Sequence, residues 1–203
     1  ISTRKKGATT MAIDLTVPQG SSAELEALVR RTVGDMLKEH EARKEAKPKK
    51  LALIATKGTL DWAYPPLVLA GTAASLGWDA GIFFTFYGLN IVHKEKSKKI
   101  SIAPIANPAM PMPVPVPNLL GSLPGMTPFA TFMMKKKFKD AGVASIRELT
   151  DNAIEAGVKM FPCAMTMSVF GYKETDFMDG CEDICGAAAF LSWASDADIT
   201  LAF

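Results

Sequence analysis

The sequence predicts an α/β domain: a mainly parallel sheet with helices on both faces. Two observations carry that class. Short apolar runs suited to buried strands alternate along the chain with longer helix-period segments, and alternation of this kind is the signature of parallel strands joined by crossover helices. Glycines such as Gly77 and Gly157 close the helical segments, where a residue free to turn out of the helix is needed.

With 203 residues the chain is long enough for one good core plus an extra segment. The opening ISTRKKGATTMAIDL lacks a leading Met and a sustained apolar stretch, so residues 1–18 read as a processed end or flexible tail. Ser21 and Glu24 stand at capping-box spacing, and Leu25, Leu28, Val29, Val33, Met36 and Leu37 then fall on one stripe, which predicts an amphipathic helix over about 22–44. That stripe is expected to dock on the core or on another subunit. The dense mixed charge of EARKEAKPKK ends at a hinge near Pro48, so the expected division is 1–48, tail and amphipathic helix, and 49–203, the α/β domain.

In the second part KLALIAT is the first strand, KGTLDWAYPP supplies a turn, and a helix is expected from Pro65 to Gly77. DAGIFFTF is the second strand. SIRELTDNAIEAG reads as a helix, VKMFPCAM as a strand, MTMSVFGY as a short helical turn, GAAAFLSWASDA as a helix and DITLAF as the last strand.

Between Ile100 and Met134 there is no charged residue, and eight of the chain's thirteen prolines lie there. That proline density excludes a helix or a central strand and predicts a long apolar extended loop rather than a membrane span. Lysines 94, 96, 98 and 99 precede it and lysines 135, 136, 137 and 139 follow it. An uncharged loop between basic collars suits a subunit interface or a lid over the active site, with contact to an anionic membrane surface as the alternative. Residues 65–92 are apolar too, but Gly71, Gly77, Asp79 and Gly81 break them into helix and strand.

Lys+Arg number 23 against 21 Asp+Glu, and a net charge of +2 gives no bulk argument for nucleic acid. Three cysteines with no convincing signal peptide are no disulfide framework, so a reducing, cytoplasmic compartment is expected. No G-x-G-x-x-G follows the first strand, and three cysteines without a nearby histidine are an incomplete metal set, so neither a dinucleotide, another cofactor nor a metal is expected. His40 and His93 lie in charged flanking segments, which gives little support to a Cys–His dyad.

Cys163 closes the third strand, at the carboxyl edge where open α/β sheets place their ligand sites. A helical turn after it would favour a thiolate, yet a small buried apolar residue is the other reading the residues allow. Lys57, Gly58 and Thr59 after the first strand, and Tyr87 and Asn90 after the second, are expected on the same rim. Cys181 and Cys185 stand four apart, a spacing that shares a face on a helix, and read as packing residues or as secondary thiols within reach of Cys163.

LALIATKGTLDWAYPPLVLAGTAASLGWDAGIFFTFYGLNIV, GVKMFPCAMTMSVFGY and DGCEDICGAAAFLSWASDADITLAF together resemble the DsrE/DsrF-like sulfur-carrier family, in its DsrE2-like branch, over about residues 49–203. The resemblance implies a flavodoxin-like fold, assembly into homo-oligomers, and a persulfide on Cys163 exchanged with a TusA-like carrier protein. The activity implied is that of a sulfurtransferase-type carrier acting by thiol–persulfide exchange.

Overall fold

The computed structural model describes residues 22–103, 125–181 and 183–203. Ser21, half of the expected capping box, and most of the 100–134 insertion lie outside them. The described chain divides into two units at Lys47–Pro48. In the first, helix α1 runs over Ser22–Ala46, with Glu24 in its first turn where a carboxylate complements the helix dipole.

The second unit is an α/β fold on four parallel strands: β1 (Lys50–Ala55), β2 (Asp79–Phe84), β3 (Lys159–Pro162) and β4 (Ile199–Ala202), in the order β3-β2-β1-β4. Every pair is parallel: Leu53 stands opposite Ile82 and Leu201, and Phe83 opposite Phe161. Alternate side chains sort into two cores, as the two-residue period of a strand requires. Leu51, Leu53, Ile82, Phe84 and Met160 face one layer, with Leu60, Ala63, Leu67 and Ala70 of helix α2 (Leu60–Ser75) and Ile146 and Ala153 of the helix Ile146–Glu155. Ala52, Phe83, Phe161 and Cys163 face the other, against Phe190 of the helix Ala187–Ala194. Both faces are therefore covered, and each fully buried Leu, Ile or Phe contributes about 1.5–3 kcal/mol.

After β2 comes a short helix α3, Leu89–Val92. Two boundaries differ from those the sequence suggested. Helix α2 begins at Leu60, not near Pro65, and carries Pro65 and Pro66 inside it. The missing amides fall early in the helix, so the carbonyls deprived of intrahelical partners are those of the first turn. The end of the expected apolar loop is also helical: α4 spans Met126–Asp140. Pro128 sits in its first turn, where no amide donor is required, and no proline follows through Asp140. Helix α4 brings the second lysine collar to the first, so that Lys98, Lys135, Lys139 and Arg147 line one cavity of about 390 Å³.

Helix α5, Ile146–Glu155, is closed by a complete capping box: the Ser145 hydroxyl accepts from the Glu148 amide at 3.3 Å and the Glu148 carboxylate from the Ser145 amide at 2.7 Å. The remaining helices are α6 (Ala164–Phe170) and α7 (Ala187–Ala194). At the carboxyl edge the crevice between β1 and β4, where the strand order reverses, is closed by Thr56, whose amide and hydroxyl both donate to the Phe203 carbonyl at 2.8 and 2.6 Å. The loop after β2 folds down onto the end of β1. Gly88 approaches so closely that a Cβ there would lie 2.1 Å from the Ala55 carbonyl oxygen.

The clash would be with backbone rather than a movable side chain. Gly88→Ala is expected to lower stability by about 3 kcal/mol in urea unfolding, whereas Gly71→Ala in α2, with nothing within 4 Å of its Cβ, is expected to be neutral or stabilising. Equal midpoints for the two variants would contradict the close approach.

Candidate functional site

Cys163 belongs to two elements at once. Its amide donates to the Phe84 carbonyl at 2.9 Å, continuing the β2–β3 ladder, and its carbonyl accepts the Met167 amide at 3.0 Å, opening α6. On the outer side of β3, the Cys185 amide donates to the Pro162 carbonyl at 3.1 Å and the Ala164 amide to the Cys185 carbonyl at 3.0 Å. These bonds make a parallel bridge between Cys163 and Cys185. The site thus lies at the carboxyl edge, as expected, but beside β3 rather than at the β1/β4 reversal.

Cys163 is only 3% exposed. Burial is the strongest influence on its thiol and opposes ionisation; the nearby Thr166 hydroxyl and amide, Thr85 hydroxyl and Met165 amide favour the anion and together outweigh it, while the neutral cysteine makes no side-chain cap bond to α6. The net effect holds the thiol below its ordinary pKa. The two hydroxyls are 3.1 Å apart, either able to donate to the other, and the Phe86 amide donates to the Thr166 oxygen at 3.3 Å. Phe86 has a φ of +47°, left-handed backbone that costs a bulky residue about 1–3 kcal/mol. Strain of this size is stored where the surrounding structure fixes it, here one residue past Thr85.

Cys185 is half-buried, and its thiol moves the other way. Burial, the charge of Cys163 and the charge of Asp183 push its pKa up against the Phe190 amide. Cys181 is buried in the core on the other face of the sheet, among the residues that pack with α2. The spacing argument for a shared helical face does not hold: residues 181 and 183–185 lie outside any helix, and the two thiols belong to opposite layers.

Among the expected rim residues, Tyr87 stacks on Phe170 of α6 with ring centroids 5.8 Å apart. Gly58 packs under the Tyr87 backbone, where a Cβ would meet the carbonyl oxygen at 2.2 Å. Thr59 caps α2 by position and makes no side-chain cap bond. Asn90 accepts a hydrogen bond from the Tyr172 hydroxyl at 3.0 Å, and the Lys57 amine sits 3.3 Å from the centre of the Trp62 ring, so both side chains are engaged with partners other than Cys163. His93 is buried; its Nδ1 accepts the amides of Glu95 and Lys96, at 3.1 and 3.4 Å. Among the described residues no group of three or more His, Cys, Asp or Glu is arranged to hold a metal, and no helix is long and apolar enough to cross a membrane.

Thr85 and Thr166 are candidate site residues that the sequence alone did not single out. Thr166 had a local signal: it stands three positions after the helix-capping cysteine, the place from which a side chain reaches back to the cap. Thr85 had none, because its approach is purely tertiary. A hydrogen bond to a charged group is worth about 1.5–3 kcal/mol. Thr166→Val, which keeps the shape and removes the donor, is therefore expected to raise the Cys163 pKa and slow its alkylation near neutral pH by about tenfold. An unchanged pH–rate profile would contradict the hydroxyl's role.

The fold and this cysteine environment can now be set beside known proteins. The sulfur carrier protein DsrE2 of Allochromatium vinosum is 50% identical over 157 residues, covering 75% of this chain and 97% of that protein. The uncharacterized protein YrkE of Bacillus subtilis is 30% identical over 157 residues, covering 75% of this chain and 96% of that protein. The DsrE/DsrF/DrsH-like family profile matches residues 47–202, a stretch that contains the whole sheet together with Cys163, Thr166 and Cys185. The chain belongs to the DsrE/DsrF/DrsH-like family.

Proposed function

We propose that this protein is a sulfur carrier that holds sulfane sulfur as a persulfide on Cys163 and exchanges it with a cysteine of a TusA-like partner protein. The observation that carries the reading is a buried cysteine fixed between the end of β3 and the start of α6 at the carboxyl edge of the sheet, whose thiol the neighbouring hydroxyl and amide groups hold below its ordinary pKa. Groups that favour ionisation stabilise a sulfur anion, which is the form that attacks and the form that leaves in thiol exchange. The similarity to a protein named as a sulfur carrier supports the same reading.

In the loading step the Cys163 thiolate attacks the outer sulfur of a donor persulfide. The new bond joins the Cys163 sulfur to that outer sulfur, the donor's S–S bond breaks, and its electron pair stays on the donor as a thiolate. Unloading is the same step in reverse. No net oxidation occurs, and the chemistry requires no cofactor.

A macromolecular donor also suits the surroundings. Phe86, Tyr87, Met165 and Val169 are 55%, 64%, 62% and 73% exposed around a cysteine that is itself buried. Exposed apolar groups grouped at a reactive centre are characteristic of a docking surface for another protein.

Intact-mass spectrometry after treatment with inorganic polysulfide tests the reading. The wild type is expected to gain the mass of one or more sulfur atoms, reversibly with a thiol reductant, and Cys163→Ser is expected to lose at least most of that gain. Full loading of the Ser variant would remove Cys163 from the role.

A further inference from the structure

The proposed function uses one of the two thiols that the fold brings together. The parallel bridge sets the Cys163 and Cys185 backbones side by side, about 4.8 Å apart as neighbouring strands are. Paired residues of parallel strands project to the same face, and both cysteines pack in the same apolar cluster with Phe83, Phe161 and Phe190. Backbones at that spacing lie within the ~4.4–6.8 Å Cα range over which two cysteine sulfurs can meet. The two side chains thus share one face and one cluster, at a backbone spacing that allows their sulfurs to meet. The two differ in access: Cys163 is buried, while Cys185 is half-buried at the outer side of β3.

We propose that Cys185 is a second sulfur-bearing residue, which takes the sulfane sulfur from Cys163 and presents it at the sheet edge to the acceptor. The inference rests on Cys163 being the first carrier. In the transfer step ionised Cys185, its proton lost to solvent, attacks the outer sulfur of the Cys163 persulfide. A bond forms between the Cys185 sulfur and the outer sulfur, the bond from that sulfur to Cys163 breaks, and the electron pair returns to Cys163 as a thiolate. The sulfane sulfur keeps its oxidation state, so no oxidant or reductant enters.

The surroundings of the two sulfurs favour this direction. Cys163 as leaving group returns to the Thr85, Thr166 and Met165 donors, which stabilise its anion, and a stabilised thiolate leaves faster. Cys185 is held above the ordinary thiol range by burial and by the charges of Cys163 and Asp183, and a more basic thiolate is the stronger nucleophile once formed. Cys181 does not compete for this step, because it lies in the core on the opposite face of the sheet.

The test is a time course on the full chain. Wild-type protein is exposed briefly to limiting inorganic polysulfide, quenched with an alkylating agent and digested. Persulfides are then localised by fragment ions that separate Cys181 from Cys185. The expected result is a persulfide on Cys163 first and on Cys185 afterwards, the second rising as the first falls. In Cys185→Ser, Cys163 is expected to load normally and to discharge about tenfold more slowly to a small thiol acceptor; in Cys163→Ser, loading of Cys185 is expected to fall about tenfold. Persulfide on Cys163 that never reaches Cys185 in the wild type would overturn this inference and leave the proposed function standing. Loading of Cys185 at the wild-type rate in Cys163→Ser would overturn the relay order. Loading of neither residue would overturn the proposed function and this inference with it. The wild-type time course reads the relay without depending on the folding of any variant.

Discussion

The backbone of Cys163 is the constraint on which the site depends. Its amide is tied to Phe84 and its carbonyl to Met167, while the Cys185 segment is bonded to the residues on either side of it. A strand end, a helix start and a neighbouring strand therefore share one residue. A side chain held this way has little freedom beyond its own rotation, and that rotation is bounded by the packed Phe83, Phe161 and Phe190 cluster. Movement of the thiol would require breaking ladder bonds or opening the core.

Placement alone would make Cys163 inert, because burial in an apolar cluster opposes ionisation. The groups that lower its pKa come from two different elements: Thr166 and Met165 at the start of α6, and Thr85 just past the end of β2. The loop after β2 can bring Thr85 there because Gly88 lets it descend onto the Ala55 carbonyl and because Phe86 accepts a left-handed backbone. The fold thus spends conformational freedom on one side of the sheet edge to stabilise charge on the other. A histidine partner is not part of this arrangement; hydroxyls and amides stabilise a sulfur anion without taking its proton.

Much of this architecture was legible in the sequence, for a definable reason. β1, β2 and β3 are short runs of Leu, Ile, Phe, Ala and Met bounded by turn residues, and α5 announces itself by Ser145, Glu148 and Gly157. Those signals are local. Proline misled the reading twice, at α2 and at α4, because its cost depends on its place in the helix rather than on its presence. The cysteine stood out by its position at a strand end. The Thr85–Thr166 contact, 81 residues apart in sequence, and the assignment of Cys181 and Cys185 to opposite layers arise only when the chain is folded. No spacing rule reaches them.

The central claim is that the fold keeps Cys163 ionisable where burial alone would silence it. Peptide-resolved alkylation of the full chain from about pH 5 to about pH 10 tests this most directly, with Cys163 and Cys185 followed in the same samples. The account predicts that the Cys163 profile has its midpoint below that of an ordinary thiol, with Cys185 above it. A Cys163 midpoint at or above that of Cys185 would contradict it.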